Sequence, residues 1–194
     1  MTSILGVSPP GRSAEVPVTG VGATVDWGAV LAESLTGASL VIMSDKFTPH
    51  PRSAELLAAG VPDEYHSMLS RHGVGTLVEK MGIVFTHMSA DSMVATMPVE
   101  GNTQVTGLLH GGAHVVLAET LGSFAAAFHA GPTSRVVGIE INATHHRGAA
   151  GGLVTGTATP VHLGRTLTTH EVVMTNEAGQ RLSTCRITNM ILSD

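Results

Sequence analysis

Residues 104–128, QVTGLLHGGAHVVLAETLGSFAAAF, constrain this chain more than any other stretch. They open with the turn-like run Gln104-Val105-Thr106-Gly107, pass through His110-Gly111-Gly112 and continue into an apolar segment without proline. Leu117, Leu121, Phe124 and Phe128 recur at i, i+4, i+7 and i+11, the spacing of one stripe on an α-helix. The expected helix covers about 110–130 and stops at Gly131-Pro132. Helix geometry leaves the first backbone N–H groups unpaired at the positive end of the dipole. Such a place suits a carbonyl oxygen that acquires negative charge. Glu119 is the only carboxylate in the segment and shares a face with Gly112, Val115 or Val116, and Ser123. Burying a lone carboxylate among Val, Leu and Ala is costly. Glu119 therefore either sits on a solvated face or serves as an acid, base or nucleophile near the helix start.

The surroundings of this helix follow from the segments on either side. Met81–Met88 and Ser92–Val99 read as strands joined by a hairpin at Ser89-Ala90-Asp91. After the helix come four more strand-like runs, Arg135–Thr144, Gly152–Val161, Thr166–Thr175 and Arg181–Leu192. Turn chemistry parts them at Gly148–Gly152, His162-Leu163-Gly164 and Asn176-Glu177-Ala178-Gly179. Alternation is clearest in Val137, Ile139 and Ile141, whereas Leu182, Cys185 and Ile187 alternate only if a bulge intervenes. Two strands, a long helix and four strands predict an α+β fold, an antiparallel sheet wrapped around a long central helix. A helix of this length runs roughly 30 Å at 1.5 Å per residue. One sheet covers only one side of it. The small residues Gly122, Ala125 and Ala126 are accordingly expected to need a second subunit to complete their burial.

The N-terminal part differs. Pro9-Pro10-Gly11, Gly20, Gly22 and Pro49-His50-Pro51 punctuate residues 1–60, which are read as a poorly ordered extension preceding a domain over 61–194. One short helix is expected over 26–43, and Met43 opens a segment resembling an ordinary protein start. Pro62–His72 is predicted to be helical, with Gly73 just past its end.

Composition narrows the class. Hydrophobic residues make up 43% of the 194 and charged residues 13%, so apolar surface is expected to be hidden in a subunit interface. A net charge of −5 with scattered Lys and Arg argues against nucleic-acid binding. The single cysteine, Cys185, rules out an intramolecular disulfide and favours a reducing compartment. No apolar run reaches the roughly 18 residues of a membrane span. These features place the protein in the cytoplasm, with no membrane partner.

Several motifs, in order and spacing, carry a family resemblance over about residues 63–192. They are MGIVF (81–85), Gln104 six residues before His110 of LHGG, LAETLGS (117–123), VVGIEINATHHR (136–147) and PVHLGR (160–165). With these the chain resembles the hotdog-fold acyl-CoA thioesterases. Within them it resembles the PaaI-like hydroxybenzoyl-CoA and 1,4-dihydroxy-2-naphthoyl-CoA thioesterase branch. The resemblance implies hydrolysis of an acyl-CoA, an aromatic hydroxyacyl-CoA in particular, to free acid and CoA. A naphthoyl substrate would place it in menaquinone biosynthesis. It implies that the Gly111 N–H polarises the thioester carbonyl and that Gln104 orients that carbonyl or the attacking water. Glu119 would be the nucleophile or general base, Ser123 would position the water or the carboxylate, and His110 would brace the loop. His145, Arg147, His162 and Arg165, at strand ends, would meet the CoA portion, for whose phosphates Arg is apt. The resemblance further implies a homo-oligomer, a dimer of dimers, with Glu119 facing Gly111 and Gln104 of another chain. No cofactor is implied, since CoA belongs to the substrate.

Alternatives remain at this point. A hotdog hydratase or dehydratase would pair an acid and a base at the β-carbon, and a non-catalytic acyl-CoA-binding module would have no need of Glu119. His110 and His114, at i and i+4, would suit a metal ion. Glu119 lies about 140° around the helix from His114, so no third ligand is expected there and no metal is assigned.

Overall fold

Helix α4, Gly111–Ala130, lies across a single six-stranded sheet, and both are built from the pattern above. The computed structural model describes residues 52–69 and 72–192. The readings for the 26–43 helix and for Met43 lie outside the described residues. The described elements begin with α1 (Ser53–Ala58), a 3₁₀ turn (Asp63–Tyr65), α2 (His66–Leu69) and α3 (Thr76–Met81). Strands β1 (Val84–Met88) and β2 (Met93–Pro98) precede α4. Strands β3 (Arg135–His145), β4 (Leu153–Leu163), β5 (Leu167–Asn176) and β6 (Arg181–Leu192) follow it. The sheet order is β1-β2-β4-β5-β6-β3, and every pair is antiparallel.

The predicted strands and helix recur within a few residues of their expected bounds. Two differences stand out near the N-terminus. The stretch expected to be one helix over Pro62–His72 is broken into the 3₁₀ turn and α2, and α3 occupies a segment that carried no helix expectation. The domain also begins before residue 61. Leu56, Ala59 and Val61 are buried in the main core, and the Phe85 N–H donates to the Ala59 carbonyl at 2.8 Å. Glu55 accepts from the Val74 N–H at 2.8 Å, and that bond chiefly holds its carboxyl below the usual range.

The core lies between the sheet and one side of α4. Leu117, Ala118, Leu121 and Ala125 point at the inward faces of β2, β4, β5 and β6, where Met93, Ala95, Val154, Met174 and Ile187 are buried. Phe124 and Phe128 lie at the flank of this stripe. Phe124 packs on Phe85 with ring centroids 4.9 Å apart, and Phe128 meets Tyr65 edge-on at 4.8 Å. Gly122, Ala125 and Ala126 are already buried in this chain, so they do not wait for a second subunit. Their smallness serves the sheet instead: a Cβ on Gly122 would collide with Cγ2 of Ile187. The flank left half-exposed carries Val115, Val116, Glu119 and Ser123.

Bulges decide which side chains face α4. On β3 the register shifts between Gly138 and Glu140, leaving Ile139 as the extra residue. Before the bulge Gly138 faces inward, and beyond it Ile141 and Ala143 pack on the core. Val137 and Ile139, two members of the apparent alternation, are exposed. The bulge expected in the last strand falls at Leu182, between Arg181 and Ser183.

The Gly122–Ile187 approach generates a stability test. Gly122→Ala should destabilise by about 1–3 kcal/mol through overpacking. Ile187→Ala should cost less in that background than in the wild type, read by urea denaturation of the four proteins.

Candidate active site

The loop before α4 is built by its own polar groups. The Asn102 side chain donates to the carbonyls of Met81 and Pro98, both at 2.9 Å, and the Asn102 backbone carbonyl accepts from the His110 N–H. Gln104–Gly107 closes as a turn, with the Gly107 N–H donating to the Gln104 carbonyl at 2.9 Å and Gly107 at φ 77°. This presents an exposed Gln104 beside the helix start.

The helix cap then disposes of the first donors one by one. His110 is extended, and its Nδ1 accepts from the Gly112 N–H at 2.8 Å. Its carbonyl accepts from the Ala113 N–H at 2.9 Å. Among the described residues nothing accepts from the Gly111 N–H. That group borders a cleft of about 330 Å³ whose walls include Gln104, Leu108, His114, His145 and Arg147. His145 reaches the helix start because Gly111 has no side chain; a Cβ there would lie 3.0 Å from its Nε2.

Behind this cleft His114 is 3% exposed, and its Nδ1 pairs with the Ser183 hydroxyl at 2.9 Å. Burial first, and the nearby His145 second, lower its pKa to about 4. His114 therefore points into the sheet while His110 caps the helix, and the two do not address a common ion. Among the described residues no three His, Cys, Asp or Glu side chains converge as metal ligands.

Glu119 and Ser123 are elsewhere. Glu119 lies eight residues beyond Gly111, about 12 Å along the axis at 1.5 Å per residue. Its Oε1 sits over β3, 2.7 Å from where a Gly138 Cβ would be. No described side chain or backbone group makes a hydrogen bond or salt bridge to this carboxylate. Ser123 Oγ accepts from Asn189 Nδ2 at 3.2 Å. One chain thus holds two separated groups on one helix, with Gln104, Gly111 and His145 in the first and Glu119 and Ser123 in the second.

The four strand-end residues divide as well. Arg147 is exposed beside His145, with Nη1 donating to the Arg181 carbonyl at 3.2 Å. His162 and Arg165 flank Gly164, whose carbonyl pairs with His129 Nε2 at 3.0 Å near the C-terminal end of α4. They lie at the opposite end of the helix from the cleft. Sequence reasoning missed His114, Ser183 and Asn189 as site neighbours. The signal for Asn189 is a polar residue between Ile187 and Ile191 on the inward face of β6, all three buried.

Comparison with known proteins adds four findings. The Thioesterase superfamily matches residues 106–183. The proofreading thioesterase EntH of Cronobacter sakazakii is 47% identical over 125 residues, spanning 64% of this chain and 91% of that protein. The EntH of Klebsiella pneumoniae is 44% identical over the same shares. A thioesterase of Haemophilus influenzae superposes with a TM-score of 0.60 at 34% identity, covering 67% of this chain and 90% of its own.

The buried His114 makes stability pH-dependent. It is neutral in the fold, so the unfolded chain, with an ordinary imidazole near pH 6.5, takes up the proton first. This contribution is present above about pH 6.5 and is lost as pH falls toward 4. His114→Asn should flatten the decline measured by urea denaturation between those values.

Proposed function

Because the chain belongs to the hotdog-fold thioesterase superfamily, we propose that it hydrolyses an aromatic hydroxyacyl-CoA at a site assembled from two copies. The observation that carries this is the separation of two groups without a partner among the described residues, the Gly111 N–H and the Glu119 carboxylate. In hydrolysis the carbonyl oxygen lies about 3 Å from its donor, and the attacking atom starts about 3–3.5 Å from the carbonyl carbon. A spacing of about 12 Å along one helix puts both beyond the reach of a single carbonyl. A second copy, its helix antiparallel, supplies Glu119 opposite the first copy's Gly111 and Gln104.

The chemistry then follows. The thioester carbonyl oxygen accepts from the Gly111 N–H, at the positive end of α4, and gathers charge as its carbon is attacked. Glu119 either attacks that carbon itself, with water later opening the anhydride, or takes a proton from attacking water. In both routes the C–S bond breaks, the acyl group gains the oxygen of water, and the CoA thiolate takes up a proton. His145 and Arg147 at the cleft rim face the CoA portion, while His162 and Arg165 belong to the other end of the helix and meet it only from a neighbouring copy. No cofactor enters the reaction. A naphthoyl substrate would give the enzyme its place in menaquinone synthesis.

The relatives' name supports a second reading, in which this chain also proofreads and acts on many acyl groups rather than on one. Breadth separates the two. Free-thiol release from aromatic and aliphatic acyl-CoAs should favour hydroxyaroyl groups by at least about tenfold if the substrate is dedicated, and vary little if the enzyme proofreads.

The shared site has its own test. Glu119→Gln and Gln104→Ala should each lower kcat by about 10²-fold or more. Mixing the two and allowing exchange should restore about one quarter of wild-type turnover, because half the dimers are mixed and each has one intact site. No restoration would place the whole site within one chain.

A further inference from the structure

The buried polar row beneath Ser123 has no role in the chemistry above. Asn189 is fully buried on β6, between the buried aliphatic side chains of Ile187 and Ile191. An amide at such a position costs several kcal/mol if it lacks partners, so its contacts matter. Its Nδ2 donates to Ser123 Oγ at 3.2 Å. Its Oδ1 has no partner among the described residues, and neither does the buried Thr168 Oγ1. Thr168 is the residue directly opposite Asn189 on β5. Both side chains face α4, and directly opposed residues have Cβ atoms about 4.5–5.5 Å apart. One atom is a donor and the other an acceptor. The two atoms are not bonded to each other here; a turn of the Thr168 side chain that brought its hydroxyl to Asn189 Oδ1 would satisfy both and fix the amide with Nδ2 toward Ser123.

On the other side of Asn189, its β3 partner is Gly138. The place of the missing Gly138 Cβ lies 2.7 Å from Glu119 Oε1 and 3.8 Å from Asn189 Nδ2. The carboxylate thus occupies the space that glycine leaves open, beside the amide. The helix adds a contrast. Thr120 spends its hydroxyl on the Val116 carbonyl one turn back, at 2.8 Å. Ser123 makes no such bond among the described residues. With a lone pair occupied by Asn189, its hydroxyl proton remains to be donated.

Resting on the hydrolase reading above, we propose that Asn189 is a positioning residue, held by Thr168, that makes Ser123 a hydrogen-bond donor. Ser123 then donates to the water that Glu119, one helical turn back, handles. Asn189 touches neither substrate nor water, and acts only through Ser123.

A double-variant cycle tests this, with acyl-CoA hydrolysis followed by free-thiol release. Asn189→Leu, with the same branching and no donor, should lower kcat about tenfold and leave KM within about twofold. Ser123→Ala should cost a similar factor. In the Ser123→Ala background, Asn189→Leu should cost less than about twofold more, because the group it acts through is gone. Thr168→Val should lower kcat in the same direction by a smaller factor. Asn189→Ala takes the place of the leucine variant in the same cycle if leucine prevents folding. Losses that multiply in the double variant would mark a merely structural residue and overturn the proposal, as would an Asn189→Leu enzyme of wild-type kcat. A folded wild type that releases thiol from no acyl-CoA overturns the hydrolase reading and the proposal with it. Turnover by the wild type beside an unaffected Asn189→Leu overturns the role of Asn189 alone.

Discussion

Everything in this domain depends on how closely α4 lies on its sheet. A methyl group at Gly122 would meet Ile187, and one at Gly156 would meet Leu121 at 2.6 Å. With no side chain at either place, Leu117 and Leu121 settle directly among β2, β4 and β5. Close approach also fixes the helix's rotation. The sheet takes one stripe, the aromatic flank takes Tyr65 and Phe85, and the remaining flank carries Glu119 and Ser123.

That rotation makes the helix start informative. Three donors open α4, and the protein spends two of them on His110, whose ring accepts one and whose carbonyl accepts the other. The third, on Gly111, is left facing a cleft. An unsatisfied donor at a helix start carries the dipole's positive end with it, so the cleft favours an oxygen bearing charge. The same glycine admits His145 to the rim. The cap determines which of these few N–H groups remains free to meet a bound oxygen.

Polar groups inside the sheet follow a related economy. His114 is held neutral by burial and anchored to Ser183, stiffening the wall behind the cleft. Asn189 and Thr168 lie in the next polar row, under the half of the helix that carries Glu119 and Ser123. Aliphatic residues at these places would pack as well with no desolvation cost. Their polarity makes sense only in relation to the helix residues above them.

Local chemistry made much of this legible in the sequence. Leucine spacing and the Gly131-Pro132 stop mark α4, alternation and turn residues mark the six strands, and Leu182-Cys185-Ile187 betrays a bulge. Gln104, His110, Gly111, Glu119 and Ser123 stand out because a polar residue or a glycine pair interrupts an apolar pattern. The rest depended on long-range packing. Ile139 is apolar and looks inward, yet a bulge turns it out, because register depends on the partner strand. Gly122 and Ala125 look like a subunit contact, yet the sheet of the same chain covers them. Leu56 precedes the recognisable motifs, yet it fills the core. His162 and Arg165 resemble companions of Arg147 until β4 carries them to the far end of the helix. By itself the sequence determined the elements and the residues of chemical interest, since both follow from neighbours within a few positions. Only the tertiary structure decided that His145 reaches Gly111 at the helix start and that Asn189 lies beneath Ser123, because those relations join residues far apart in the chain.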